Sequence, residues 1–562
     1  MNLKEPLIQT NNNNPKGGFR ALPFILGCSA LEKIATIGVM TNMIVYLRKE
    51  YRMEAAQGAN VLFFWSAAIN FMPVIGAFLA DSYVGRFSAI SIGSFATLLG
   101  LIILWLTSVI PEATPGPCVA VECESATTLQ LLVLYTCFGL ISIGSGGIRS
   151  SCLAFGADQI ISKGNKTTVL ESLFKWYYVI TSVSLIIGMT CVVYIQDMFG
   201  WKVGFGVPVL LIFISSLSFF LASPFYVKSQ VKASLVTGFA QVFVAAYKRR
   251  SITFSSSQLY FTTKGSSILS PTQKFRFLNK ACIIKKAEED LSPCGRASDP
   301  WSLCTVEQVE ELKALIKIIP IWSTGMFMSI TISQSSFQVL QASTMDRHIL
   351  SNFEIPAASL SAFLVISLII WVSLYDRVII PVASKIKGKP IYLNLKQKMG
   401  IGILISVSSM AALAIAERIR RETATREGFS DNPDGVVDMS VLWLLPHLCL
   451  GGIAEAFNAI AQNEFYYTEL PKCMSSVATC LFEMGICVAN LVASFIMNVV
   501  DNMSRKGGEE SWVSSNINKG HYDYYCWLLA TLSMANFVYY LICSKAYGPC
   551  IEEQDDGTNV DC

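Results

Sequence analysis

The chain has 562 residues, of which 52% are hydrophobic, 15% charged and 11% aromatic; its mean hydropathy is +0.48 and its formal net charge is +3. Soluble domains carry about 25% charged residues, so this balance excludes a multidomain soluble protein and reads as an all-α membrane protein with many spans. The near-neutral charge excludes a general basic field for nucleic acid, and 17 cysteines without a CxxC pair, with only His348, His447 and His521, leave no metal-ligand spacing.

The first 20 residues, MNLKEPLIQTNNNNPKGGFR, form a polar tail without the apolar run and small-residue cleavage site of a signal peptide. The first span is therefore its own targeting signal. Apolar runs long enough to cross a bilayer, about 20 residues, fall near 21–46, 59–82, 87–110, 128–156, 172–196, 203–225, 310–341, 355–381, 391–417, 439–466, 472–500 and 523–546. These predict twelve transmembrane helices in two six-helix bundles, 21–225 and 309–546. A linker over 226–308 joins them, and tails cover 1–20 and 547–562. The linker holds twelve Lys/Arg and five Asp/Glu, which places it and both termini in the cytoplasm. Lys385, Lys387 and Lys389 agree with that topology. Arg418, Arg420, Arg421 and Arg426, expected outside, conflict with it. Cys562 is the last residue rather than fourth from the end, so the tail has no prenylation box.

The split into halves is echoed in the loops. GAFLADSYVGRF, between spans 2 and 3, carries Asp81, Gly85 and Arg86. SLYDRVIIPVASKIKGKP, between spans 8 and 9, carries Asp376, Arg377 and Lys385. A carboxylate at a helix end followed by basic residues recurs at the same place in each half, the pattern of an internal repeat and of a secondary transporter with a central site.

Ionisable groups at membrane depth cost about 2.5–3.5 kcal/mol each on insertion scales and usually face a cavity or a partner. Span 1 carries Glu32 and Lys33, about 100° apart on the helix, with Ser29 and Thr36 a turn to either side. Span 4 carries Arg149 after Gly144, Gly146 and Gly147, whose missing side chains admit another backbone. A guanidinium there needs a carboxylate or an anionic ligand, and Glu32 is the candidate. Span 10 carries Glu455, Asn458 and Gln462 in one stripe, with Glu464 nearer the cytoplasmic end. Its His447 is either a proton carrier or a satisfied structural residue, the latter being commoner. In span 11, Ser476, Thr479, Glu483, Cys487, Asn490 and Ser494 make one polar stripe, either a water-lined wall or a packing face of small residues. Span 7 adds Thr331, Gln334, Ser335 and Gln338. Trp176, Tyr177 and Tyr178 open span 5 as an interfacial belt or as cavity lining.

GAFLADSYVGRF, GSGGIRSSCLAFGADQ, FRFLNKACI, CTVEQVEELKALIKIIPIW and GGIAEAFNAIAQNEFYYTELP together resemble the plant nitrate/peptide transporter family, of the proton-dependent oligopeptide transporter type within the major facilitator superfamily. The resemblance runs from about residue 17 to 546. It implies alternating access by two rocking bundles, with Asp81, Gly85 and Arg86 in conformational gating. It also implies substrate and proton roles for the span 1, 4 and 10 charges. The family's span 1 pattern, Glu-x-x-Glu-Arg, reads here Ser29, Ala30, Leu31, Glu32, Lys33; the first carboxylate is missing. The span 4 lysine is replaced by Arg149, the span 10 glutamate is matched by Glu455, and the span 7 histidine of some nitrate carriers has no counterpart at Thr331 or Ile332. The family's set sums to one negative charge, whereas Ser29, Glu32, Lys33, Arg149 and Glu455 sum to zero.

The expected activity is secondary transport of nitrate or another small anion, with proton coupling altered or moved to Glu483. A carrier of glucosides or hormones is the alternative, and a non-transporting membrane sensor is an alternative of another class. An enzyme is not expected, because the spans hold no nucleophile–base pair. No cofactor is expected beyond a coupling proton. The expected partners are a small anionic or glycosidic substrate and the bilayer, and the expected location is the plasma membrane rather than the vacuolar membrane. Asn502-Met503-Ser504 is a glycosylation acceptor, Asn165-Lys166-Thr167 a cytoplasmic match expected to stay unmodified, and Cys118 and Cys123 a candidate disulfide.

Overall fold

The computed structural model describes residues 18, 20–116, 125–161, 167–228, 235–252, 254, 259–262, 270–285, 287–292, 297–350, 353–388, 393–471, 474–506 and 508–549. Cys118, Cys123 and Asn165 lie outside them. In chain order the helices are α1 (Leu22–Thr41), α2 (Met43–Lys49), α3 (Ala55–Leu79), α4 (Arg86–Val109), α5 (Thr128–Ile161), α6 (Thr167–Ile187), α7 (Val193–Leu221), α8 (Leu235–Lys248), α9 (Arg276–Asn279), α10 (Ala287–Asp290), α11 (Val306–Ile332), α12 (Ser335–Ser343), α13 (Ala362–Leu374), α14 (Ile380–Lys387), α15 (Leu395–Arg426), α16 (Leu445–Glu469), α17 (Ser475–Ser504) and α18 (Tyr522–Tyr547).

Among the described residues, eleven stretches are long and apolar enough to cross a membrane, and one of them, Ser172–Leu221, is 50 residues long. At 1.5 Å per residue it would measure about 75 Å, over twice a hydrocarbon core of about 30 Å. Gly200 resolves the discrepancy. Its φ of 76° and ψ of 174° break the helix there, a backbone state open chiefly to glycine. The stretch is therefore two spans, and the count is twelve.

The chain divides into two compact units, one of 1–52 and 72–231 and another of 53–71 and 232–562. The division cuts α3 next to Pro73, which removes one helical hydrogen bond. The N-terminal half of α3 therefore groups with the later helices rather than with the bundle of 21–225.

In the first unit, α5 is threaded between α3 and α4 through its glycines. A Cβ on Gly146 would fall 2.6 Å from the Cβ of Met72, and one on Gly144 would fall 2.0 Å from Thr97 Oγ1. The expected close approach at these glycines is what the helices show. One end of the unit is filled by Phe87, Phe155, Phe219 and Tyr226, whose rings meet at 5.1–6.3 Å.

In the second unit, α11 starts on a reciprocal cap, Thr305 with Gln308. The helical ladder is interrupted at Ser333 and Gln334 before α12, so span 7 is two helices. The short strand β1 (Met345–Asp346) pairs in parallel with β4 (Val437–Ser440), while β2 (His348–Leu350) and β3 (Phe353–Glu354) form a hairpin. A core of Ile318, Ile321, Met399, Ile403, Phe465 and Tyr466 joins α11, α15 and α16. The linker is not a free tether. Val242, Ala245 and Ala246 of α8 pack with Leu278, Cys282, Val306, Val309 and Leu312 in their own core.

The two loops that echo each other in sequence share a backbone device. Ala80–Val84 and Tyr375–Ile379 are both π-turns at the ends of the second and eighth spans. Each has an aspartate at its second position.

α15 runs nine residues past the expected end of span 9, and that extension absorbs the basic cluster. Arg420 is fully buried. It is bidentate to Glu417 at 2.8 Å and donates to Thr344 Oγ1, Asn518 Oδ1 and the Ile517 carbonyl. Arg421 pairs with His521 and Asp523, and Arg418 with Glu422. Three of the four arginines therefore belong to intramolecular pairs.

Candidate functional site

Glu32 is the centre of the first unit. Its side chain has 0% exposure, and a carboxylate so placed needs several donors. Thr36, one turn on, donates to Oε1 at 2.9 Å; Ser145 on α5 donates to the same oxygen at 2.6 Å; Arg149 Nε lies 3.4 Å from the carboxylate. Ser145 and Arg149 are four residues apart, so one face of α5 presents both to α1. The expected Glu32–Arg149 pair is present. The guanidinium is 15% exposed, and its Nη2 is buried with no hydrogen-bond partner among the described residues. Lys33 is half-buried. Trp176 and Tyr178 are exposed. The middle member of that aromatic triplet, Tyr177, is half-buried.

The three gating candidates meet at one end of the same unit. Gly85, at φ 81°, closes the π-turn and starts α4. This turns Arg86 back so that its Nε donates to Asp81 at 3.0 Å and its Nη1 to both oxygens of Asp158 at 2.9 Å. Arg86 thereby ties the α3–α4 turn to α5.

In the second unit the candidates separate into two kinds. Asn458, Gln462 and Gln334 are used internally. Asn458 donates to the Met399 carbonyl at 3.2 Å, and Gln462 to Asn458 at 2.7 Å. Gln334 bonds the Ile330 carbonyl and accepts from Tyr525 at 3.1 Å. Gln462 also packs against Gly325, where a Cβ would overlap it. His447 is buried, with Ser409 at 2.8 Å on Nδ1 and Gln338 at 3.0 Å on Nε2, so both ring nitrogens are satisfied. Glu464 pairs with Lys398 at 3.8 Å. Glu455 and Glu483 are the other kind. Both are half-buried, and among the described residues no ion pair or hydrogen bond to either carboxylate is formed. The α17 stripe is likewise divided. Asn490 and Ser494 are buried, Ser494 donating to Asn60 at 2.7 Å, so that end is a packing face. Thr479, at the other end, is exposed and bonded to Tyr467 at 2.6 Å.

Sequence reasoning missed Ser145 and Asp158. Both lie inside the GSGGIRSSCLAFGADQ stretch. Ser145 stands four residues before Arg149, and the i, i+4 spacing was the available signal. Asp158 carried no signal of its own, because its partner Arg86 is distant in sequence.

Twelve spanning helices, a discontinuous seventh span and a buried carboxylate–guanidinium pair make a multi-pass helical membrane protein with charge in its interior. Residues 87–513 match the family model PTR2, the POT family. The chain is 51% identical over 564 residues to Protein NRT1/PTR FAMILY 1.2 of Arabidopsis thaliana, covering 98% of this chain and 93% of the relative. It is 50% identical to Protein NRT1/PTR FAMILY 1.1 of the same plant, covering 98% and 94%. Its fold matches that of the POT family transporter PepTSo with a TM-score of 0.67 at 17% identity, over 95% of this chain and 99% of that one. The chain belongs to the POT family, and its close relatives are the plant NRT1/PTR proteins.

Proposed function

We propose that the protein is a proton-linked carrier of nitrate or another small anion, with coupling altered from the two-carboxylate pattern of its family. The observation that carries this is Arg149 Nη2, buried and without a partner among the described residues. An orphaned guanidinium donor at membrane depth is poorly solvated, and its chemistry suits an oxyanion. Glu32, Lys33 and Arg149 leave one net positive charge in the first unit, because Ser29 stands where a second carboxylate would offset it. The carboxamides of Gln334, Asn458 and Gln462 are occupied by internal hydrogen bonds. That weighs against a sugar site needing many free donors and acceptors, and ranks the glucoside or hormone carrier second.

Glu455 and Glu483 are the carboxylates available to carry a coupling proton in the second unit, and Asp81, Gly85 and Arg86 act as the gating turn. The basic linker supports cytoplasmic termini. The test is nitrate uptake with current recording in oocytes at about pH 5.5 and about pH 7.5, which vary the proton supply about a hundred-fold. Arg149→Gln is expected to raise the KM for nitrate about ten- to hundred-fold, the loss of about 1.5–3 kcal/mol from one charge-assisted bond. Glu483→Gln is expected to flatten the pH dependence. Strong pH-driven accumulation abolished by Glu32→Gln and untouched by Glu483→Gln would overturn relocation of the proton site, and unchanged KM in Arg149→Gln would overturn the anion site.

A further inference from the structure

The linker helix α8 is apolar on two opposite sides. Val242, Ala245 and Ala246 point into the linker core against α11, where Arg249 is also buried and paired with Asp290 at 2.6 Å. The opposite stripe, Ala240, Phe243, Val244 and Tyr247, follows the i, i+3, i+4, i+7 spacing of one helix face. It is open, with Phe243 49% and Tyr247 68% exposed. A helix apolar on both sides normally has both covered.

The surroundings of this stripe say what covers it. α8 packs on the first two turns of α11, with Gly238 beside Gln308. Those turns carry Glu307, Glu310, Glu311 and Lys313 and precede the apolar part of the span. α8 therefore lies beside the polar start of the seventh span. Phe277 and Leu259 are exposed on the same linker. Arg250 stacks on Tyr247 at 4.5 Å and Arg276 on Phe254 at 4.6 Å. Among the described residues Arg250, Lys274 and Arg276 have no carboxylate partner, whereas Lys248 is drawn to Asp299 at 3.6 Å. Exposed aromatics interleaved with unpaired cations match the two demands of an anionic interface, acyl chains below and phosphate or carboxylate headgroups above.

We propose that the linker is a membrane-surface module whose α8 stripe inserts into the leaflet beside α11 and whose Arg250, Lys274 and Arg276 bind anionic lipid headgroups. The test uses the full chain in nanodiscs of phosphatidylcholine alone or with phosphatidylserine. Benzoylphenylalanine is placed at position 247 or, as the inward-facing control, at 242. After illumination the expected product at 247 is a lipid adduct, absent at 242 and more abundant in the phosphatidylserine discs. Arg250→Gln, Lys274→Gln and Arg276→Gln together are expected to abolish that excess. Each single change is expected to lower it by up to about five-fold, from about 1 kcal/mol per cation at an anionic surface. A lipid adduct of equal yield in the two discs would overturn the headgroup assignment. Crosslinks from 247 to residues 72–231 of the same chain, or to a second copy, would overturn the membrane assignment altogether.

Discussion

Arg420 and Arg149 are both arginines in apolar helices, and their surroundings give them opposite roles. Arg420 is satisfied by Glu417, Thr344, Asn518 and the Ile517 carbonyl, so it is structural. Breaking the pair with Glu417→Gln leaves a buried charge without its counter-ion and is expected to destabilise the protein by about 3–5 kcal/mol, seen as a lower Tm. Replacing both partners by Leu and Met of similar volume should restore much of that loss. Arg149 keeps one buried donor unused, so its replacement is expected to raise substrate KM as well as to lower Tm through the buried Glu32 left without its counter-ion. From sequence alone Arg149 reads as a charge inside span 4 and Arg420 as a loop charge beyond span 9. The depth of a charge is legible in an apolar run, but the number of partners it finds is a property of the packing.

At the level of elements, the glycines of α5 set the helix spacing. Gly146→Val would drive a branched side chain into Met72, 2.6 Å from the first added carbon. It is expected to lower stability by about 1–3 kcal/mol, measured as loss of the monodisperse peak on heating. The junction of α15 and α18 is expected to be acid-sensitive. Partial burial, and the Arg421 guanidinium beside it, hold the His521 imidazole below its ordinary value. Asp523 and Glu509 oppose the shift. The neutral ring accepts from Arg421 at 2.7 Å, so the stabilisation is present above the ordinary histidine pKa of about 6.5 and is lost as pH falls through the lowered one. A scan of Tm against pH should show a drop on acidification that is smaller in His521→Asn. This contact was invisible in the sequence, where Arg421 and His521 are a hundred residues apart and the arginines looked like loop charges. The π-turns at Asp81 and Asp376, in contrast, lie where the repeated loop pattern had marked them.

For the whole molecule, the proposed preference for an anion rests on the balance of a few buried charges. Ser29→Glu restores the carboxylate that the family pattern places there. It is expected to strengthen the pH dependence of uptake while weakening nitrate affinity, because an anion in the site then meets a second negative charge. Uptake normalised to surface expression checks both effects, and a variant with unchanged pH profile and unchanged KM would contradict the role given to Ser29.

Composition and apolar run length by themselves determined an all-helical membrane protein of twelve spans. They did so because crossing a bilayer imposes a length and a hydropathy that survive any packing. Glu32, Lys33, Arg149, Glu455 and Glu483 were legible for the same reason, whereas the buried Glu417 and Arg420 read as charges beyond the span and Glu464 is exposed. Tertiary structure alone decided which of those groups are occupied and which are open: Asn458, Gln462 and Gln334 turned into the helix packing, Ser145 and Asp158 entered as partners, and the first half of α3 grouped with the second unit. Hydrogen-bond satisfaction depends on neighbours distant in sequence, and no periodicity within one helix records them.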